Sequence, residues 1–243
     1  MTLYLVGLGL WDEKDVSIKG LELVKKCDTV YLENYTSVMF GTSKEKLEKL
    51  FGKKITLLNR EAVEQKKEYL EKAKKNEVAL LIGGDPTVAT THIDMILEAR
   101  KLGIKTKVIH SSSIHTAICE SGLFNYKFGK SCSIPFSQKG FEPKSFYETI
   151  VENQKNGAHT LVFLDLKPEE NKFMTVNRAL ATLVKLGLSE ETIAVGFARI
   201  GSEDQVIKSG KISELLKFDF GKPMHILVIP GKLHFMEKEA LGL

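Results

Sequence analysis

Apolar residues in the first half of the chain fall in short runs separated by amphipathic stretches. Residues 3–8, 29–32, 54–58, 78–82 and 105–109 are runs of strand length. Between the first two, Ser17 precedes apolar positions at Ile18, Leu21 and Val24, which predicts an N-capped helix over 17–27. Residues 43–51 repeat that plan, with Ser43 as the cap and Leu47, Leu50 and Phe51 as the stripe. Residues 60–75 predict a third helix, whose Glu68–Lys72 and Glu71–Lys75 pairs at i,i+4 spacing mark a solvated face. Ile93, Ile96 and Leu97 begin a fourth. Strands alternating with helices of this length predict parallel βαβ units.

The rhythm changes near His110-Ser111-Ser112-Ser113, a short polar cluster suited to a hinge. Beyond it, helices are expected over 114–121, 144–154 and 176–186, and strands over 160–164, 192–197, 205–210 and 225–229. Fewer helices separate these strands, which points to α+β. The expected fold class is therefore a two-domain α/β protein, with a parallel α/β domain over residues 1–111 and an α+β domain over 112–243.

Composition adds little to this frame but excludes some classes. The chain has 243 residues, 43% hydrophobic and 27% charged, as in a soluble globular protein. No apolar run reaches the roughly 20 residues a membrane helix needs. The start, Met1 to Gly7, lacks a basic segment and meets a glycine too early for a signal peptide. Cys27, Cys119 and Cys132 are far apart and odd in number, which suits a reducing cytoplasm and neither a disulfide framework nor a thiolate zinc site. A net charge of +4 without a basic block leaves no footprint for nucleic acid.

The stretch with most chemical content is Gly83-Gly84-Asp85-Pro86-Thr87-Val88-Ala89-Thr90-Thr91-His92. It follows the apolar run Val78 to Ile82 and leads into a helix. In an open α/β sheet, ligands sit outside the carboxyl ends of such strands, and glycines let the backbone come close to them. The segment lacks the Lys-Ser/Thr of a P-loop, and Asp85 suits a hydroxyl, an amine or a cation better than a polyphosphate. The simpler reading of Gly-Asp-Pro is a tight turn with Asp85 as its local cap. Gly7-Leu8-Gly9 also follows a strand, but position 12 is Asp12 where a dinucleotide fingerprint needs glycine. The histidines form no metal spacing, and Ser111 to Ser113 is no nucleophile elbow. His225 opens an apolar strand, where its ring nitrogens need partners. Asp165 reads as a strand-end acid. A structural or interaction protein would need no glycine-rich turns at strand ends.

Several motifs, in order along nearly the whole chain, carry a resemblance. They are Leu3-Tyr4-Leu5-Val6-Gly7-Leu8-Gly9-Leu10, Val30-Tyr31-Leu32-Glu33-x-Tyr35-Thr36-Ser37 and Gly84-Asp85-Pro86-x-x-Ala89-Thr90-Thr91-His92. Tyr126-Lys127-Phe128-Gly129, His159-Thr160-Leu161-x-x-Leu164-Asp165-x-Lys167, Ala198-Arg199-x-Gly201 and Pro230-Gly231-x-Leu233-His234 complete the set. Together they resemble the diphthine synthases, a branch of the tetrapyrrole-methylase-type S-adenosylmethionine enzymes.

The resemblance implies a cytoplasmic homodimer of two-domain subunits, with S-adenosylmethionine folded in the interdomain cleft. Carried over motif by motif, it implies cofactor contacts at Leu10, Asp85, Val88, Ser113, Ile114, Leu164, Ile200 and His225. The implied reaction is repeated methyl transfer to the α-amine of a 3-carboxy-3-aminopropyl-histidine on translation elongation factor 2. A free α-amine with a pKa near 8 is about one-tenth neutral at pH 7, so a strong base is not compulsory, and no catalytic residue is assigned. Tyr35 and Asp165 are candidates to line the cationic product. Only Pro168 to Phe173 separates Lys167 from Met174, a compact connection that resembles archaeal enzymes stopping at three methyls. A fourth methyl on the carboxylate, or a tetrapyrrole acceptor, are the alternatives.

Overall fold

A computed structural model describes residues 1–33, 38–137 and 143–243. The chain divides into two compact units, Met1–Ile114 and His115–Leu243. The first unit holds five strands: β1 (Thr2–Gly7), β2 (Thr29–Glu33), β3 (Ile55–Leu58), β4 (Val78–Ile82) and β5 (Lys105–Ile109). They pair in parallel in the order β3-β2-β4-β1-β5. Every residue of β4 is buried, which is why its sequence is a continuous apolar run rather than an alternation.

Helices α1 (Ile18–Lys26) and α2 (Lys44–Phe51) pack on one face of this sheet through Val24, Leu47 and Phe51. Helices α3 (Glu68–Ala73) and α4 (Ile93–Lys101) pack on the other through Tyr69, Leu70, Met95, Ile96 and Ala99. Ser17 and Ser43 cap α1 and α2 by accepting from the amides of Gly20 and Lys46. Each satisfies an amide that has no partner within its helix.

Two local expectations fail. Residues 60–75 do not form one helix: a five-residue π turn, Ala62–Lys66, ends at Lys67 in the left-handed region with φ +50°. The break lets the Lys67 ammonium reach Glu98 of α4 at 2.5 Å, and Glu71 pairs with Lys74 instead of Lys75. Ile18 does not join the stripe of α1; it is 76% exposed.

The second unit holds a five-stranded mixed sheet of β6 (Cys132–Ile134), β7 (Thr160–Leu164), β10 (Ile193–Ala198), β11 (Val206–Lys211) and β12 (His225–Ile229), in the order β11-β10-β12-β7-β6. Only β6 and β7 run parallel; the other neighbours are antiparallel. Its core gathers Val162, Leu180, Leu183, Ala194, Leu227 and Ile229 against α6 (Ser145–Lys155), α7 (Val176–Lys185) and α8 (Ile212–Leu215). The two-residue strands β8 (Leu166–Lys167) and β9 (Lys172–Phe173) form a tight hairpin that turns at Asn171, φ +48°. Helix α5 (Ile114–Ala117) spans the division between the units, and α9 (Phe235–Leu241) closes the chain. No helix among the described residues is long and apolar enough to cross a membrane.

Candidate functional site

The order of the first sheet determines where a ligand can sit. From β1 the chain passes over β4 to reach β2, and from β4 it passes over β1 to reach β5. The two connections leave in opposite directions on opposite faces, so β1 and β4 flank a topological switch point. Their carboxyl ends are where open α/β sheets bind ligands. Three loops from adjacent strands meet there: the one after Gly7, the one after Ile82 and the one after Ile109.

Backbone hydrogen bonds lock the first two loops together. The Gly9 amide donates to the Gly84 carbonyl at 3.3 Å, and the Gly84 amide donates back to Gly9 at 2.8 Å. Both glycines have positive φ, +88° and +73°, which a side chain would strain. The approach at Gly7 is closer still: a Cβ there would lie 2.6 Å from the Gly84 carbonyl oxygen. The amides of Leu10, Trp11 and Asp12 all point at Oδ2 of Asp15, at 3.0, 2.7 and 3.4 Å, so that carboxylate shapes the turn carrying Leu10.

Asp85 is the electrostatic centre of the second loop. It is buried, and its Oδ1 accepts from the Thr87 amide at 2.9 Å and the Thr87 hydroxyl at 2.7 Å. Its Oδ2 pairs with His110 Nδ1 at 2.8 Å and accepts from the Ser111 amide at 3.2 Å. Burial alone pushes this carboxyl up, but the bonds from Thr87, His110 and Ser111 together outweigh it and hold it below the ordinary carboxylate range. The turn-capping role expected of Asp85 is thus present, and the same carboxylate also ties the β4 loop to the β5 loop. Leu10, Val88 and Ile114 are half-buried, so apolar surface remains uncovered, while Ser113 is buried. Ala89 holds φ +55°, a cost of about 1–2 kcal/mol for a residue with a side chain.

In the second unit the other three expected contacts cluster at one end of three neighbouring strands. Ala198 at the end of β10 lies opposite His225 at the start of β12. Continuing the Leu227–Val162 register brings Leu164, the last residue of β7, alongside His225 from the other side. Ile200 follows two residues after Ala198, and Leu164, Ile200 and His225 are all buried.

His225 finds the partners that its sequence position demanded. Its Nδ1 accepts from the Val176 amide at 3.3 Å, and Nε2 lies 3.2 and 3.0 Å from the carbonyls of Gly221 and Lys222. Burial pushes its pKa down, so the ring is neutral. Arg199 fixes the turn around Ile200: its guanidinium donates to Asp204 and to the Phe220 and Lys222 carbonyls. Asp165 is occupied as a strand-end acceptor for the Phe136 amide at 2.7 Å. Tyr35 lies outside the described residues.

Sequence reasoning missed His110. The available signal was its place directly after the expected strand 105–109, a carboxyl end like the one that Asp85 follows.

A single all-parallel sheet with glycine turns at its switch point, joined in one chain to a mixed sheet, defines the class. The chain belongs to the tetrapyrrole (corrin/porphyrin) methylase family, whose profile matches residues 2–216. Within that family its relatives are more specific. It is 52% identical over 248 aligned residues to a diphthine synthase of Methanosarcina mazei, covering 97% of this chain and 93% of the relative. It is 45% identical to one of Methanococcus maripaludis, covering 98% and 97%. A crystal structure of diphthine synthase superimposes with a TM-score of 0.93 at 44% identity, covering 100% of this chain and 95% of that one.

Proposed function

We propose that the chain is a diphthine synthase: it transfers methyl groups from S-adenosylmethionine to the α-amine of a 3-carboxy-3-aminopropyl-histidine on elongation factor 2. The observation that carries the reading is the switch-point crevice of the first sheet, present in a chain about half identical to diphthine synthases over nearly its whole length.

The residues suit a sulfonium nucleoside. Leu10, Val88 and Ile114 offer uncovered apolar surface beside main-chain groups, the usual make-up of a small-molecule site. Ser113 adds a hydroxyl and Asp85 a carboxylate that is ionised at neutral pH. We assign the cofactor to these five and to Leu164, Ile200 and His225. When bound, S-adenosylmethionine supplies a methyl group activated by its sulfonium. The chain's task is then to hold the donor, align the amine and exclude water, and alignment alone supplies a large part of the rate. The neutral ring of His225 adds no positive charge near a cationic donor.

Three methyls, a homodimer and a cytoplasmic location complete the proposal. The tight β8–β9 hairpin supports the methyl count by leaving no insertion after Lys167. The test is incubation with labelled S-adenosylmethionine and aminocarboxypropylated elongation factor 2, followed by mass spectrometry. Three added methyls are expected. A base-labile fourth would correct the count. No transfer, with tight binding of a porphyrinoid, would replace the acceptor.

A further inference from the structure

The function proposed above leaves the source of the neutral amine open. Resting on that reading, we infer that His110 takes the proton from the substrate's ammonium group, with Asp85 as the residue that positions the ring.

The pair is assembled across β1. Asp85 follows β4, the neighbour of β1 on one side, and His110 follows β5, its neighbour on the other. Their 2.8 Å contact at Nδ1 determines the tautomer. An ionised carboxylate only accepts, so Nδ1 carries the hydrogen, and in the neutral ring Nε2 is left with the lone pair. The His110 side chain is 71% exposed, and its Nε2 has no hydrogen-bond partner among the described residues.

Other histidines are arranged differently. His159, His225 and His234 each accept at Nδ1 from a backbone amide, of Gly231, Val176 and Met236 respectively, which puts the hydrogen on Nε2. His92 has its Nδ1 on the Pro86 carbonyl, but the ring is buried and faces Glu33. His110 therefore combines an acceptor Nε2, an anionic partner behind it and access to solvent at the sheet end where ligands bind.

The proton step balances simply. One N–H bond of the substrate ammonium breaks and leaves its electron pair on nitrogen. One N–H bond forms at Nε2 from the ring's lone pair. The imidazolium is neutralised by Asp85 and returns its proton to water before the next round. Each of three methylations needs one such removal, and the trimethylated nitrogen has no proton left to give.

Two measurements test this. In the ligand-free full chain labelled with ¹⁵N-histidine, the neutral His110 ring should show a pyridine-type Nε2 and a protonated Nδ1. The reverse tautomer would overturn the proposal. In the transfer assay, His110→Asn keeps a donor for Asp85 but no basic nitrogen, and should lower kcat about 100-fold. Its affinity for S-adenosylhomocysteine, measured by calorimetry, should stay within about twofold of the unsubstituted chain, as expected if only proton transfer is lost. His110→Ala should fall equally and recover at least about tenfold with added imidazole, the scale of general-base catalysis. Undiminished transfer by His110→Asn, or an alanine variant that imidazole cannot rescue, would overturn the role of His110 alone. Failure of the unsubstituted chain to methylate would instead overturn the functional reading beneath it.

Discussion

Two of the protein's carboxylate–imidazole pairs stand in opposite settings. In the first unit Asp85 holds His110, whose ring faces solvent. In the second, Glu237 holds His159 at 2.9 Å, and both side chains are fully buried. Glu237 also accepts from the Phe124 amide at 2.9 Å, the His234 amide at 2.7 Å and the Lys127 ammonium. Burial pushes its carboxyl up, but bonds from His234, Lys127, Phe124 and His159 more than reverse this and bring it to about 2. His159 uses its second nitrogen on the Gly231 amide, and burial holds its pKa down. Every polar atom of that pair is occupied, so it ties α9 to the loops of Phe124 and Gly231. The first pair keeps one nitrogen unoccupied. What separates a fastener from a reactive group here is the partner of the second ring nitrogen.

The largest effect that would break this contrast is on stability. Glu237→Ala should cost about 3–5 kcal/mol in urea unfolding, because it strands a buried amide set and a cation. A cost below about 1 kcal/mol would mean that the buried pair holds nothing together. Asp85→Ala should cost less, about 1–3 kcal/mol of stability, and should weaken S-adenosylhomocysteine binding by more than about 1 kcal/mol. Unchanged affinity by calorimetry would remove Asp85 from the site.

Acid should also affect the pair in the second unit. The Glu237 carboxyl lies below its ordinary value of 4.5 in the fold, so its stabilisation is complete above that pH and is lost as pH falls toward about 2. Glu237→Gln should flatten the acid limb of the stability curve over that window; an unchanged limb would assign acid unfolding to other groups. The smallest effect is at Ala89. Ala89→Gly should stabilise the β4 loop by up to about 1 kcal/mol by relieving its positive φ. A lower melting temperature would show that the loop is not strained there.

Local signals revealed most of the fold. The apolar run Val78 to Ile82 and the serines before α1 and α2 act through neighbours in sequence, and each is where the pattern put it. The elements missed depend on distant partners. Strand β6 has three residues and exists through its pairing with β7. Helix α9 has seven, held through the buried contacts of Glu237. The π turn before Lys67 has no periodic signature, since an α-helix pattern continues through it. At the site, the glycine turns were legible because backbone geometry restricts which residues fit. The Asp85–His110 contact was not, because 25 residues separate the partners and the strand order that joins them is not written in any local pattern.

The loop after β1 contains the chain's one tryptophan. The Trp11 amide rests on Asp15, its carbonyl accepts from Gly41, and its indole packs so tightly on Gly41 that no Cβ would fit between them. Its emission therefore comes from a single fixed place, immediately after Leu10. If the cofactor contacts Leu10 as proposed, titrating S-adenosylhomocysteine should change this emission without an attached dye, and an unchanged spectrum at saturation would place the ligand away from this loop.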